Sequence, residues 1–423
     1  MSPSTSLLDE LAWRGLHVQS TEGLADHLAA GPVRAYCGFD PTAASLHVGN
    51  LVPVMGLVRL QHAGHRPVAL VGGGTGMIGD PSGRSAERQL NTPETVAEYT
   101  ANIRAQLERF LDFGGPNAAV VVDNAEWLSP MRAIEFLRDV GKHVTVNAML
   151  AKESVKARMD TGISYTEFSY MLLQGYDFVE LRRRYGVTLQ IGGSDQWGNM
   201  TVGTERIRKM DGASAHVLTY PLLLTASGAK FGKSAGNAVW LDPELTSPYQ
   251  FYQFWINADD RDVGKLLRYF TLLDRAEIEA LDEATAQRPE RREAQNALAY
   301  DMTARVHGAE AARVAQEMST LLFAKGDPHG LSPAAIGALT KEIPFTEVER
   351  DGGEPDLLEL YVTTKLAPSK GAARRLLEQG GLSVSGRRLA AGDRAPQDGD
   401  YLAGRYLLLK KGARDYALVR VAG

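Results

Sequence analysis

Several short stretches set charged and polar groups beside glycines, where bare backbone lets chemistry take place. Asp40-Pro41-Thr42 is followed by Ser45-Leu46-His47-Val48-Gly49-Asn50, at what reads as a helix start. A helix N-terminus attracts phosphate through its free N–H groups and dipole, and an imidazole in that first turn can donate to a triphosphate. His47 can equally cap or pack, and the spacing alone leaves both open. Gly72-Gly73-Gly74-Thr75-Gly76-Met77-Ile78-Gly79 contains the G-x-G-x-x-G pattern of dinucleotide sites, but Asp80-Pro81-Ser82-Gly83 stands where an apolar helix should begin. No Gly-Lys-Ser/Thr ends the run, so a P-loop does not fit either. The run reads as a loop that lets a small ligand approach, with Asp80 offered to an ammonium group.

Further along, Tyr170, Gln174 and Asp177 stand at i, i+4 and i+7 and so share one face of a helix. That face lines a pocket or is a solvated stripe. Gln190-Ile191-Gly192-Gly193-Ser194-Asp195-Gln196 leaves a strand with two glycines, an acid and an amide, groups suited to a ribose and an α-amino group. Lys230-Phe231-Gly232-Lys233-Ser234 offers two lysines three apart on a glycine-flanked loop, a mobile clamp for a phosphoryl transition state.

The elements that must position these groups are legible around them. β-rich runs at Arg34 to Phe39, Pro67 to Val71, Ala118 to Asp123, Thr188 to Ile191 and Leu218 to Leu224 alternate with helical periodicity. That is the pattern of a parallel sheet wrapped by helices, whose ligands bind beyond the carboxyl ends of the strands. Thr92-Pro93 supplies an N-cap and an N1 proline, and Val96, Tyr99, Ile103, Leu107 and Phe110 follow at core-facing spacing. From about Ser247 the β signal stops and helical patterns take over. Gly326, Pro328, Gly330, Pro333 and Asp351-Gly352-Gly353 punctuate a linker region with room for one short helix, before a compact unit ending in β-like runs at Tyr406 to Lys410 and Tyr416 to Val421.

The 423 residues carry a net charge of −5, unevenly spread. From Lys365 onward 12 Lys/Arg face 5 Asp/Glu, a local +7, leaving −12 for the rest, so a basic tail rides on an acidic body. With one cysteine, Cys37, neither an intrachain disulfide nor a cysteine-based zinc site can form within one chain. The Ser6 to Leu11 segment reads as a capped amphipathic helix rather than a secretory signal, and no apolar run is long enough to span a membrane, so a cytoplasmic location is expected.

Together these motifs resemble the class I aminoacyl-tRNA synthetases, with His47 to Asn50 in place of the HIGH signature and Lys230 to Ser234 in place of KMSKS. The likeness to the bacterial tyrosyl branch is closer and covers nearly the whole chain, through Gly38-Phe39-Asp40-Pro41-Thr42, Gly79 to Gly83, the Tyr170 to Asp177 face, Gly192 to Asn199 and Trp240-Leu241-Asp242-Pro243. It implies a Rossmann-like parallel-sheet catalytic domain (1–246), a helical anticodon-binding-type domain (247–325), a linker (326–353) and a small α+β S4-type RNA-binding domain (354–423). The activity implied is adenylation of tyrosine by ATP, then transfer to the 3′ end of tRNA(Tyr).

The same resemblance implies roles by position. Tyr36 and Asp177 would meet the phenolic hydroxyl. Asp80, Tyr170 and Gln174 would hold the ammonium, with Asp40 and Gln196 around the reacting end. Cys37, Gly38, Gly49, Gly193 and Asp195 would lie against ATP, the last two at its ribose. Thr42, His47, Asn50, Arg84, Arg88, Lys230, Lys233 and Ser234 would stabilise the phosphates as pyrophosphate leaves. Asn50 replaces the second histidine of HIGH but keeps a donor, Phe231-Gly232 replaces Met-Ser in the lysine loop, and Arg84 stands where relatives carry lysine. Magnesium is expected only as ATP's companion, with no metal site of the protein's own. In the tail, Lys370, Arg374 and Arg375 repeat along one helix and Arg387-Arg388 follow a turn, a phosphate-tracking surface for tRNA or a solvated helix. A homodimer is implied as well. A tryptophanyl enzyme, a small-molecule adenylyltransferase and an inactive RNA-binding relative are the competing readings. The Tyr36/Asp177 pair disfavours the first, the basic tail the second and the intact set of polar and basic catalytic positions the third.

Overall fold

The computed structural model describes residues 6–422, apart from 83–88, 157, 160–161, 226–230, 232, 235–236, 325 and 351–352. The chain packs as two units, Met1–Thr246 with Asn257–Leu298 and Ser247–Ile256 with Ala299–Gly423. Among the described residues no helix is long and apolar enough to cross a membrane.

The first unit is built on a six-stranded sheet of β1 (Gln19–Ser20), β2 (Arg34–Phe39), β3 (Arg66–Val71), β4 (Val120–Asp123), β5 (Val187–Gly193) and β6 (His216–Tyr220), in the order β1-β6-β5-β2-β3-β4. All pairs are parallel except β1 with β6. The chain turns from β2 to β3 on one side, and β5 later joins β2 on the other. The loops leaving β2 and β5 therefore diverge, opening a crevice at their carboxyl ends. Strand β6 ends at Tyr220, earlier than the apolar run suggested, because Pro221 has no N–H for the ladder. A separate hairpin pairs β7 (Lys233–Ser234) with β8 (Asn237–Ala238).

Two helices behind the sheet position the site. The Tyr165–Tyr185 helix starts where Ser164 Oγ accepts from Glu167 N, carries three arginines in its last turn and stops at Gly186 in the left-handed region (φ 68°). The Trp197–Asp211 helix lies against it. A Cβ on Gly175 would sit 2.9 Å from Val202 Cγ1, and one on Gly203 2.9 Å from Phe178 Cδ1, so each helix uses a glycine to admit the other.

The second unit holds a five-stranded sheet of β9 (Phe345–Glu349), β10 (Leu382–Val384), β11 (Arg387–Arg388), β12 (Tyr406–Lys411) and β13 (Asp415–Ala422), ordered β11-β10-β12-β13-β9. Alternation divides its side chains between two cores. Leu407, Leu409, Ala417 and Val419 face Tyr361, Ala373 and Leu377. Leu408, Tyr416 and Leu418 face Met318, Ile336 and Leu339.

This packing differs from the linear reading in two places. The 326–353 stretch holds the one short helix the sequence allows for and, in addition, a strand. Ser332 caps a Pro333–Glu342 helix, and β9 pairs in parallel with β13. Ser-Pro here is a helix start rather than loop punctuation, and five alternating residues are too few to announce a strand. The helical stretch also divides: Asp260–Phe270 and Arg275–Gln287 pack with the first unit, Pro248–Ile256 and Ala309–Phe323 with the second.

Candidate active site

A cavity of about 340 Å³ opens at the carboxyl ends of β2 and β5. β2 and its exit supply Tyr36, Cys37, Gly38, Asp40 and Thr42, and the Val48–Asn50 turn that leads into the Leu51–His62 helix supplies Gly49 and Asn50. The glycine-rich loop contributes Asp80, the Tyr165–Tyr185 helix Tyr170, Gln174 and Asp177, and β5 with its exit Gly193, Asp195 and Gln196. Polar groups separated by up to 160 positions in the chain thus converge, as a pocket lining rather than a solvated stripe.

At its base Asp177, 2% exposed, accepts from Asn124 Nδ2 at 2.9 Å and Trp127 Nε1 at 2.7 Å. Burial pushes its carboxyl up to about 8 despite those two donors, with the charges of Asp40 and Asp123 adding to the rise. The Tyr36 hydroxyl is buried and has no hydrogen-bond partner among the described residues, and its ring meets Phe178 edge-on at 5.1 Å. Burial, then the nearby Asp177 charge, raises Tyr36 well above its ordinary value, so it stays a neutral donor.

From Asp177 a network runs to the middle of the cavity. Asn124 Nδ2 also donates to Thr75 Oγ1 (2.9 Å), Thr75 donates to Asp40 Oδ1 (2.7 Å), and Tyr170 donates to Asp40 Oδ2 (2.7 Å). Asn124 Oδ1 accepts from Gly74 N at 2.7 Å, fixing the glycine-rich loop. A Cβ on Gly72 would collide with the Asp40 and Thr75 side chains. The missing side chain there makes room for the protein's own carboxylate, and Gly72 also lines the cavity. On the other wall Asp80 Oδ2 accepts from Gln196 Nε2 (2.7 Å), and burial followed by the Asp80 charge raises the pKa of Asp195.

His47 caps: its Nδ1 accepts from Gly49 N at 3.0 Å while Asn50 Oδ1 accepts from His47 N at 3.0 Å. An accepting Nδ1 puts the proton of the neutral ring on Nε2. Burial pushes the Cys37 thiol up to about 12, which removes it as a nucleophile. Arg84, Arg88 and Lys230 lie outside the described residues, and of Lys233 and Ser234 only the backbone, in β7, is described.

Thr75, Asn124, Trp127 and Gln190 were missed. Asn124 directly follows a parallel strand, where ligand-facing groups cluster, and Gln190 is a polar residue within an apolar strand; both were usable signals. In the tail, Lys370, Arg374, Arg375 and Arg388 are exposed. Arg387 is not a spare cation. It is spent on Asp400 (2.6 Å) and Asp393 (2.7 Å), which anchor the β10–β11 turn and leave it little capacity for phosphate.

Residues 28–324 match the family model described as tRNA synthetases class I (W and Y), and residues 335–419 match that of the tyrosine–tRNA ligase SYY-like C-terminal domain. A parallel sheet with a ligand cavity at its switch point and a match of this extent define a class I tRNA synthetase. A tyrosine–tRNA ligase of Nocardia farcinica is 52% identical over 98% of both chains, and one of Anaeromyxobacter dehalogenans 53% identical over 98% of this chain and 99% of that one. A C-terminally truncated mitochondrial tyrosyl-tRNA synthetase of Aspergillus nidulans superposes with a TM-score of 0.69 at 29% identity, covering 76% of this chain and 95% of its own. The chain belongs to the tyrosine–tRNA ligase family.

Proposed function

We infer that the chain binds tyrosine and ATP in this cavity, joins the carboxylate of tyrosine to the α-phosphate with release of pyrophosphate, and passes the tyrosyl group to the 3′ end of tRNA(Tyr). The observation that carries the reading is the buried pair at the base: a Tyr36 hydroxyl without a partner among the described residues, beside an Asp177 already ordered by two donors. A phenol completes that pair by donating to Asp177 and accepting from Tyr36. A phenylalanine ring leaves both polar groups unsatisfied.

The ammonium fits among Asp80, the Tyr170 hydroxyl oxygen and Gln174 Oε1, a buried acceptor with no partner among the described residues. Asp40 and Gln196 then set the reacting end. Cys37, Gly38, Gly49, Gly193 and Asp195 border the nucleoside, with Asp195 at the ribose. Thr42, His47, Asn50, Arg84, Arg88, Lys230, Lys233 and Ser234 meet the phosphates, and their donors act on charge that grows on the departing pyrophosphate. Magnesium enters with ATP as its counter-ion. Lys370, Arg374, Arg375 and Arg388 face tRNA phosphates from the 354–423 region.

Within the first unit Ile134, Leu137, Val146, Leu150 and Tyr165 are exposed large apolar side chains, and a second copy of the chain covers them in a homodimer. The reaction serves protein synthesis in the cytoplasm. Tyrosine-dependent exchange of labelled pyrophosphate into ATP tests the first step directly. Exchange driven equally by tryptophan or phenylalanine, or by none of the three, would overturn the reading.

A further inference from the structure

Arg206, on the Trp197–Asp211 helix, is wholly buried. No carboxylate among the described residues pairs with it. Its Nη1 donates to Leu172 O at 2.8 Å and its Nη2 to Val140 O at 3.1 Å, while Nε has no partner among the described residues. Burying a cation without a counter-charge is expensive, and a core needing only volume would be filled by an apolar residue. What the guanidinium uniquely supplies is two charge-assisted bonds, in a fixed fork, to the backbones of two different elements.

Those two elements matter. Leu172 lies between Tyr170 and Gln174 and just over one turn before Asp177, so its carbonyl belongs to the turn that presents the amino-acid side of the cavity. Val140 closes the Phe136–Val140 segment, which carries exposed Leu137, and packs with Met149, Met171 and Leu172 in one buried cluster. The Arg206 stem passes Gly175, where its Cδ would be 3.5 Å from a Cβ, so helix spacing and guanidinium position are set together.

We propose that Arg206 is a positioning residue for amino-acid selection, a buried cationic tie that holds the Tyr170–Gln174–Asp177 face at its working depth against the segment ending at Val140. The proposal rests on the reading of the cavity as a tyrosine site. The tie acts through the helix and touches neither substrate. It therefore affects the amino-acid side of the cavity and leaves the β2 and β5 exits, where ATP lies, in place.

The test is tyrosine-dependent pyrophosphate exchange by the full chain and by Arg206→Lys and Arg206→Met. Lysine keeps the charge but reaches only one carbonyl; methionine keeps the stem and loses both donors. KM for tyrosine should rise about tenfold in Arg206→Lys and further in Arg206→Met, with KM for ATP within roughly twofold of the parent and the preference for tyrosine over phenylalanine reduced. Equal rises in both KM values, or an unchanged KM for tyrosine in Arg206→Lys, would show a merely structural residue and overturn the proposal. So would failure of both variants to fold, judged by circular dichroism and gel filtration. A parent without tyrosine-dependent exchange sinks the site reading itself, an outcome distinct from a parent that exchanges and a variant that matches it.

Discussion

Replacing Asp177 by asparagine exchanges one carboxylate oxygen for an NH2 group and tests the base of the pocket. Trp127 Nε1 can only donate, so the one remaining side-chain oxygen must stay on it. The new NH2 then faces Asn124 Nδ2, another donor. Asn124 cannot turn over, because its oxygen already holds Gly74 N and its nitrogen also serves Thr75. The variant therefore carries a buried donor–donor conflict of about 1–3 kcal/mol and loses an acceptor for the phenol that becomes charged when tyrosine binding expels its proton, worth about 1.5–3 kcal/mol. Together these predict a fall in kcat/KM for tyrosine of roughly 10² to 10⁴. Phenylalanine never used the second interaction, so its kcat/KM should fall by only the first part. The preference for tyrosine should then shrink by about 10 to 10². Pyrophosphate exchange with each amino acid at saturating ATP measures both. An unchanged ratio, with both substrates slowed alike, would show that Asp177 supports the fold and does not read the hydroxyl.

The raised carboxyl of Asp177 makes a pH prediction. Its folded value of about 8 lies above the ordinary 3.8, so its contribution to stability is complete below the ordinary value and is lost as pH rises toward 8, by roughly 1.4 kcal/mol per unit. The thermal midpoint of the parent minus that of Asp177→Asn should therefore fall between pH 5 and pH 8, and a flat difference would refute the shift. Tyrosine binding near pH 7 should also release a proton, seen by calorimetry in buffers of different ionisation enthalpy. Gly72→Ala must displace Asp40 or Thr75; a melt lowered by about 1–3 kcal/mol with exchange down tenfold or more is expected, and full activity would remove the steric argument. Lys233→Ala should slow adenylate formation by roughly 10² to 10³ with little change in tyrosine binding, as stopped-flow kinetics beside equilibrium dialysis would show. Truncation before Pro344 removes Leu402, Leu408, Tyr416 and Leu418 from the cluster around Met318 and Ile336. Exchange should persist while tRNA charging collapses and binding of a hydrophobic dye rises; undiminished charging would contradict the tail assignment.

Strand β2 was readable to the residue, and the Tyr170/Gln174/Asp177 face was readable from helical period, because both are local signals. The partners of Asp177 were not. Asn124 and Trp127 lie some fifty positions away, brought there by the pairing of β4 with β3, and one sequence carries no sign of which strand neighbours which. The crowding at Gly72 was hidden for the same reason, since the group beside its missing side chain, Asp40, comes from another strand's exit. Arg387 looked like its exposed neighbour Arg388 until Asp393 and Asp400 were placed beside it. Strand β9 escaped notice because what makes five residues a strand is a partner 73 positions later.

That partner has a bearing on synthesis. Strand β13 is not at the rim of its sheet; it lies between β12 and β9, and nothing else in the sheet joins those two. A ribosome delivers β9 and the helices packed near it long before 415–422 emerge, so this body waits, open along its centre, for its closing strand. A message cut short within those eight codons yields no slightly frayed copy. It yields a chain whose sheet is split and whose cores stay wet, the kind of product that proteases clear.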